Sequence, residues 1–428
     1  MRVVVLGAGI LGVSTAWFLA QAGHAVVVVD RQDAPALETS FANGAQISVS
    51  FCEPWASPTA PWKVAKWLLR ADAPLLFRPQ LDWRQWEWGL RFLRECSATA
   101  FERNVRQLVA LGRYSQQTLQ QVVAQTGIEY DRLACGILHF CSSQKELDQG
   151  AHAAALMRRY GVDRQVLDRR QVLAIEPALA GFAGLTGGTF TPSDESGDAC
   201  RFTQALAQRC EALGVQFRFG CEVLGLEREG ERIAAARVRD RAGPESARLT
   251  ADAFVAVLGA YTPALLRPLG ERLHIYPAKG YSATLRLLAP ERASVVSLLD
   301  DSHKLAISRL GNRIRVAGTA ELSGYDTSLD THTARVRCQA LLRRYEALFP
   351  GVADCSEPNF WTGLRPSTPS NRPYIGRSRV ARNLWLNSGH GTLGWTHGAG
   401  SGRALAELMS GRQPELAFDF CGDVVRGS

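Results

Sequence analysis

The sequence predicts an α/β (α+β) protein in which a parallel-sheet lobe is divided along the chain by an inserted second lobe. Two observations predict this fold class. Residues 2–29 read as a strand, a helix and a second strand in close succession, which is how a nucleotide-binding sheet begins. Alternating helix and apolar strand return over 190–265, and glycine-rich sequence of the same kind returns after 356.

The first unit carries the pattern Gly-x-Gly-x-x-Gly between its strand and its helix. The strand Arg2–Leu6 leads into Gly7, Ala8, Gly9, Ile10, Leu11 and Gly12, and the strand Ala25–Val29 ends at Asp30. Gly7 permits a tight turn, Gly9 lets backbone N–H groups approach a pyrophosphate, and Gly12 allows close packing of helix on strand. Asp30 is placed to accept hydrogen bonds from a ribose diol, so the unit predicts a dinucleotide site.

Composition narrows the function classes. With 428 residues, 46% of them apolar and 21% charged, the chain has the core of an ordinary globular protein of two or three lobes. Its ten cysteines form no Cys-x-x-Cys pair, which favours buried thiols over disulfides and predicts no metal site. The net charge of +8 comes without a dense Lys/Arg run, so nucleic acid is not expected as a partner.

Apolar residues 3–20 do not read as a signal peptide or a membrane span. Glycines interrupt them and a second strand follows at once, so we expect a chain that folds in the cytoplasm. We predict one lobe from 1–50, 190–265 and 356–428, and a second from 51–189 and 266–355. Expected elements are helices over 100–125, 332–347 and Ser401–Met409, a strand over Val215–Leu226, a hairpin at Glu229–Glu231 and a buried strand from Ala253 that ends at Gly259.

Tryptophans cluster near the start of the second lobe. Six of the ten lie within 54–95, and Trp62–Arg70 reads as a basic amphipathic helix. Two interpretations stay open: the indoles pack inward, or the helix contacts a membrane surface with aromatic anchors and lysine heads.

Taken together, five motifs resemble the D-amino-acid dehydrogenase small subunit family, flavoproteins of the glycine oxidase and D-amino-acid oxidase superfamily. They are the glycine motif with Asp30-Arg31, Glu38–Asn43, Tyr276–Tyr281, Trp361–Pro366 and Leu386–Thr396. The resemblance spans nearly the whole chain. It implies a split FAD-binding Rossmann-like lobe with an inserted antiparallel-sheet substrate lobe.

The resemblance also implies residues for noncovalent FAD, since no cysteine lies between Cys355 and Cys421. Their roles would be to hold the pyrophosphate and ribose, to line the flavin, to meet the adenine through backbone, and to present N–H groups to the flavin N1–C2=O edge. The set is Gly7, Ala8, Gly9, Ile10, Leu11, Gly12, Asp30, Arg31, Thr39, Ser40, Gln46, Ile47, Ser48, Val223, Gly259, Gly389, Gly391, Thr392, Leu393 and Gly394.

For the substrate, the resemblance implies that Arg365 clamps the α-carboxylate of an amino acid, because guanidinium is planar, charged and bidentate. Tyr276 and Tyr281 are weaker candidates to cap the site. The implied reaction is oxidative deamination of a D-amino acid, with hydride transfer from Cα to flavin N5, release of a 2-oxo acid and ammonium, and electrons passed to a quinone or other respiratory acceptor. No catalytic base is required, so His390 is not nominated.

Several alternatives stay open. Thr368–Arg372 and Asn43–Gln46 depart from the family pattern, which puts the substrate in doubt more than the cofactor. The chain could act on D-proline or D-hydroxyproline, or use oxygen directly as an oxidase. An enzyme of modified tRNA bases and a flavin subunit without turnover are more distant alternatives. We expect the protein either in the cytoplasm or in peripheral contact with the cytoplasmic face of the inner membrane, the contact being suggested by the tryptophan-rich segment.

Overall fold

The computed structural model describes residues 1–62, 75–241, 243 and 245–422. The predicted amphipathic helix at Trp62–Arg70 therefore lies, from Lys63 onward, outside the described residues. The helices are α1 Ile10–Gln21, α2 Trp83–Glu95, α3 Ala98–Thr126, α4 Gln144–Arg159, α5 Arg169–Ile175, α6 Ala199–Ala212, α7 Thr262–Leu266, α8 His332–Leu348 and α9 Gly394–Met409.

A six-stranded sheet, mostly parallel, carries the Gly-x-Gly-x-x-Gly unit. Its spatial order is β19 (Tyr374–Arg377), β20 (Leu384–Ser388), β13 (Ala253–Ala256), β1 (Arg2–Leu6), β2 (Ala25–Val29) and β9 (Gln216–Arg218). Only the β19–β20 pair among them is antiparallel. Apolar strand residues such as Val3, Val5 and Val255 join Val13 and Phe202 of two covering helices in one core. Strands buried on both faces explain the continuous apolar runs.

A nine-stranded sheet forms the second layer. Its order is β18 (Asn359–Ser367), β14 (Tyr276–Arg286), β17 (Arg313–Leu322), β16 (Leu305–Leu310), β15 (Ser297–Asp300), β5 (Ile137–Cys141), β7 (Gly187–Thr191) and β6 (Gln165–Asp168), with β4 (Leu75–Phe77) beside β17. The pairs are antiparallel except β15 with β5 and β17 with β4. Helix α8 packs on one face through Leu341 and Tyr345. The predicted α/β (α+β) fold class is confirmed.

Two small sheets complete the fold. They are β3 (Gln46–Ile47) with β8 (Glu195–Ser196), and β10 (Cys221–Glu229), β11 (Arg232–Asp240) and β12 (Ser246–Leu249). The single strand predicted over Val215–Leu226 is wrong: the chain turns at Gly220, with φ +64°, between β9 and β10. Because β9 belongs to the large parallel sheet and β10 to the small one, the chain must change direction there.

One strand crosses the predicted division of the chain. β18 falls within 356–428, assigned above to the cofactor lobe, yet it pairs along its whole length with β14 of the nine-stranded sheet. The predicted lobe boundaries stay a proposal, and at β18 the sheet pairing argues for moving the boundary past Ser367. Among the described residues, no helix combines the length and apolar character needed to cross a bilayer.

Candidate active site

A cavity of about 1500 Å³ is lined by residues of both large sheets and of the loops that join them. Most of the predicted site residues meet there: Gly7, Gly9, Ile10, Leu11, Asp30, Arg31, Thr39, Ser40, Gln46, Ser48, Val223, Gly259, Tyr281, Arg365, Gly391, Thr392, Leu393 and Gly394. Residues more than 350 positions apart in sequence therefore share one site, as a cofactor that spans two segments of one fold requires.

Five of the predicted site residues do not line the cavity. Ala8 donates its backbone N–H to Asp30 Oδ2 at 2.6 Å, and Gly12 packs on the Gly7 carbonyl. Ile47 is buried in β3, opposite Glu195, and Gly389 turns the chain with φ +88°. Ala8, Gly12, Ile47 and Gly389 therefore lie next to residues that line the cavity. The fifth, Tyr276, is treated below with the second tyrosine.

The glycine turn is as compact as its sequence predicts. Gly7 has φ +115°, and its N–H donates to the Val29 carbonyl at 2.8 Å. A β-carbon at Gly12 would lie 1.9 Å from the Gly7 oxygen, so the third glycine is needed to seat α1 against the turn. Helix α1 begins after Gly9, which has no side chain to cap it, and Gly9, Ile10 and Leu11 of its first turn line the cavity. The positive end of the helix dipole therefore faces the cavity.

Asp30 ends β2 at the cavity wall. Its Oδ2 accepts from Ala8 N and its Oδ1 from Gln32 N at 2.8 Å. Burial raises the pKa of this carboxyl, while the two backbone N–H groups act in the opposite direction. The neighbouring Arg31 pairs with Glu38, its Nη2 2.6 Å from Oε1, and its guanidinium lies 4.2 Å from the centre of the Tyr261 ring. The Asp30 carboxylate is therefore held in place by backbone N–H groups and lies beside the Arg31–Glu38 ion pair.

The loop after β2 is fixed by hydrogen bonds that cross the molecule. Ser40 Oγ accepts from Ile10 N at 3.1 Å, and Thr39 Oγ1 donates to the Leu364 carbonyl at 3.0 Å. Gln46 Nε2 donates to Ser297 Oγ and to the Leu298 carbonyl. The loop therefore ties the start of α1 to strands β18 and β15.

A buried carboxylate that the sequence analysis missed holds the end of this loop. Asp194 accepts from the hydroxyls of Ser48, at 2.7 Å, and Ser50, at 2.5 Å, and from the backbone N–H of Val49 at 3.0 Å. Burial raises the pKa of Asp194 to about 6, and these donors offset part of that rise. No motif surrounds Asp194 in the sequence; only the distant serines identify its role.

The last motif forms the opposite wall. A 3-10 turn at Gly391–Leu393 leads directly into α9, and the helix start carries no side-chain cap. Backbone N–H groups and the helix dipole therefore favour negative charge at this wall. His390 beside it is buried and its Nε2 lies 2.8 Å from Ser401 Oγ, while its Nδ1 has no partner among the described residues. Burial lowers the His390 pKa, which keeps the imidazole neutral.

Arg365 is the one arginine of the predicted set that has no acidic partner among the described residues. Its Nη1 donates to the Thr319 carbonyl at 2.8 Å, and its guanidinium lies over Gly280, where a β-carbon would come within 2.3 Å of Nη1. Burial lowers its pKa. Arg365 is only half-buried, but a cation that loses part of its hydration without gaining a counter-charge is still costly, so the site favours an anionic ligand.

The register of β14 and β18 separates Tyr281 from Arg365. Arg365 pairs with Ala278, whereas Tyr281 pairs with Thr362, and successive side chains point to opposite faces of a sheet. The Tyr281 hydroxyl donates to Glu321 Oε2 at 2.7 Å. The expectation that Tyr281 caps the substrate beside Arg365 is therefore corrected: its hydroxyl is held in a buried ion cluster.

Tyr276, unlike Tyr281, does not line the large cavity. It packs with Trp88 and Phe92 and lines a separate cavity of about 210 Å³. Its hydroxyl has no hydrogen-bond partner among the described residues. The structure gives Tyr276 a packing role in place of the predicted capping role.

The cavity fits FAD on the evidence of its own residues. It offers a helix start behind a glycine turn, a carboxylate fixed by backbone, a second helix start at Gly391–Gly394, and an Nδ1 on His390 without a partner among the described residues. The first helix start suits anionic phosphates, the carboxylate suits a ribose diol, and the second helix start suits an electron-rich ring edge. The volume also leaves room for a small substrate beside Arg365.

Comparison with known proteins agrees with this geometry. The family model described as FAD dependent oxidoreductase (DAO) matches residues 2–408. D-amino acid dehydrogenase of Dechloromonas aromatica is 53% identical over 98% of this chain and 99% of its own. The enzyme of the same name from Granulibacter bethesdensis is 45% identical over 97% of each chain.

A solved structure shares the fold at low sequence similarity. Glycine oxidase from Bacillus cereus superposes with a TM-score of 0.72 at 20% identity, covering 96% of each chain. The glycine turn, the fixed Asp30 and the family match point the same way. The chain belongs to the DAO family of FAD-dependent oxidoreductases.

Proposed function

We propose that this protein oxidatively deaminates D-amino acids to 2-oxo acids and ammonium, with FAD as its redox cofactor. The observation that carries the proposal is Arg365, a half-buried guanidinium without a carboxylate partner among the described residues, on the wall of the cavity that fits FAD. Two relatives, 53% and 45% identical over nearly the whole chain, bear the name D-amino acid dehydrogenase, which supplies the substrate class.

The cofactor-binding residues are assigned by position on the wall. The turn at Gly7–Gly12 would hold the pyrophosphate, Asp30 the adenosine ribose, Val223 the adenine side, and Gly391–Gly394 the pyrimidine edge of the ring. When bound, FAD supplies the two-electron acceptor. No cysteine lines the cavity among the described residues, which supports noncovalent attachment.

The protein contributes orientation and charge. Arg365 binds the α-carboxylate with two parallel N–H donors and fixes the position of Cα. With its amine neutral, the substrate loses the Cα hydrogen with its electron pair and releases an N–H proton to water. Hydrolysis of the resulting imino acid then gives the 2-oxo acid and ammonium. His390 stays neutral and bonded to Ser401, so it is not assigned the proton.

For the electron acceptor we propose a membrane quinone, which implies peripheral contact with a membrane. The support is the name of the relatives, which are dehydrogenases. Mixing the reduced protein with a quinone analogue or with oxygen separates the two acceptors. Fast reoxidation by oxygen with stoichiometric hydrogen peroxide would instead make the protein an oxidase.

Dye-linked turnover of the purified holoprotein tests the reaction. The panel is D-alanine, D-proline, hydroxy-D-proline and their L-enantiomers. We expect turnover with D-enantiomers and none with L-enantiomers. Preference for the cyclic substrates would identify a D-proline or D-hydroxyproline dehydrogenase, whereas no turnover with any member, by a protein that retains its flavin, would refute the proposal.

A further inference from the structure

Helix α2 turns a row of large apolar side chains toward solvent. Trp83, Trp86, Leu90 and Leu93 are 60%, 51%, 64% and 54% exposed. Their spacing of three, four and three residues places them on one face of the helix. We call these four residues the α2 stripe. A folded protein rarely leaves such a row bare without a partner for it.

The opposite face of α2 fixes the helix to the protein, so the stripe is not a consequence of loose packing. Gln85, Trp88 and Phe92 are buried. Trp88 Nε1 donates to the Ser367 carbonyl at 2.8 Å, and Gln85 Nε2 donates to the Leu322 carbonyl at 2.9 Å. The helix is anchored on strands β17 and β18, and its exposed face is therefore held in a constant orientation.

The apolar surface extends beyond the helix. Leu81, just before α2, is fully exposed. Trp86 keeps its indole N–H bonded to the Gln80 carbonyl at 3.1 Å while its ring stays in contact with water. Amphipathic indoles of this kind are typical of the boundary between lipid and water.

Positive charge flanks the stripe on one side. Arg84, Arg91 and Arg94 follow stripe residues around the helix; Arg84 pairs with Asp82 and Arg91 with Glu87. Arg91 and Arg94 also line a cleft of about 1110 Å³, where the excess of cations lies. That cleft has seven arginines against three carboxylates: Arg91, Arg94, Arg228, Arg372, Arg377, Arg379 and Arg382, with Glu95, Glu231 and Asp419. The face therefore combines exposed apolar anchors with an excess of cations.

We propose that the α2 stripe docks on an anionic lipid bilayer, with its tryptophans and leucines in the interface and the arginines of the neighbouring cleft near lipid headgroups. An amphipathic helix with indoles on one face and arginines beside it binds membranes in this way. The charge complementarity selects anionic lipid over a second copy of the chain, whose matching face is equally cationic. This inference rests on the membrane contact proposed above and names the surface that makes it.

Flotation with phosphatidylcholine vesicles, with and without phosphatidylglycerol, tests the docking surface. The holoprotein should float with the anionic vesicles and be released as salt rises, because the Debye length shortens. The variant Trp83→Ser/Trp86→Ser/Leu90→Ser should lose about tenfold or more in vesicle affinity. The control Leu213→Ser/Leu288→Ser/Val295→Ser removes exposed apolar side chains elsewhere and should float like the wild type. Arg94→Gln/Arg379→Gln should weaken binding to the anionic vesicles alone.

Two outcomes would overturn the proposal. One is equal flotation of the stripe variant and the control. The other is a wild-type protein that binds no vesicle and forms a dimer that the stripe variant dissociates. Dye-linked turnover measured without vesicles is the independent readout: it should be unchanged in all three variants, so loss of docking is distinguished from failure of the proposed reaction.

Discussion

The guanidinium of Arg365 lies over the α-carbon of Gly280, so that a β-carbon there would fall 2.3 Å from Nη1. Thr319 completes the arrangement, since its carbonyl accepts from Nη1 at 2.8 Å. Thr319 has φ +55°, a conformation that a β-branched residue adopts only under constraint. The neighbouring strands β14 and β17 therefore hold the Arg365 guanidinium in one position, as a ligand-binding cation requires.

Gly280→Ala should displace the Arg365 guanidinium while leaving the cofactor in place. We expect KM for the D-amino acid to rise about tenfold or more, with the flavin content unchanged, because the carboxylate loses a well-placed donor pair. The control is Gly181→Ala, at a glycine with nothing within 4 Å of the added carbon. Equal KM values in both variants would contradict the role of Gly280.

Arg365→Lys keeps the charge and removes the fork of donors. KM should rise about 10- to 100-fold and flavin should be retained, since a lysine cannot bind a carboxylate bidentately. Arg343→Lys, at an exposed arginine of α8, is the matched control. Steady-state kinetics with D-alanine measure both variants, and an unchanged KM for Arg365→Lys would refute the clamp.

Gly12→Ala should prevent flavin binding. The added carbon would meet the Gly7 oxygen at 1.9 Å, and relief of that clash must open the turn that faces the pyrophosphate. Flavin released from purified protein, measured per mole of chain, should fall to a small fraction of the wild-type value. Gly89→Ala adds a carbon in open space on α2 and should carry normal flavin. A yellow Gly12→Ala protein would contradict the assigned turn.

Asp194 should make stability depend on pH. Its pKa is about 6 in the folded protein against 3.8 for an ordinary carboxyl, so the folded state holds an extra proton between these values. The stability contributed by this proton is full below about pH 3.8, falls as pH rises through 6, and amounts to about 3 kcal/mol.

Asp194→Asn removes that titration. Between pH 5 and pH 7.5 the apparent melting temperature of the wild type should fall relative to that of the variant. Asp163→Asn, at an exposed aspartate, should follow the wild type. Parallel melting curves for wild type and Asp194→Asn across this range would show that the carboxyl is not perturbed.

The sequence predicts local structure best where the contacts that fix a segment are made within that segment. The turn at Gly7–Gly12 and the strand before Asp30 depend on neighbours within thirty residues, and both lie where the pattern places them. Gly220 shows the limit: an apolar stretch looks continuous, yet the chain leaves one sheet for another at this glycine. Only the tertiary arrangement decides that break.

The rest of the site depends on pairing across the molecule. The motifs that contain Tyr281 and Arg365 both point to the substrate site in the sequence. The β14–β18 register, however, directs the two side chains to opposite faces of the sheet. Gly280 and Thr319 belong to the site because the Arg365 guanidinium lies against one and donates to the carbonyl of the other. Asp194 belongs to it because the hydroxyls of Ser48 and Ser50 donate to its carboxylate. None of these contacts has a sequence signature.

Anaerobic mixing of the yellow holoprotein with D-alanine tests the central claim most directly, because it observes the flavin without any external acceptor. The account predicts that D-alanine bleaches the flavin quickly, that L-alanine does not, and that Arg365→Lys requires far more D-alanine for the same rate. A protein that stays yellow with every D-amino or D-imino acid, or that binds no flavin at all, would contradict it.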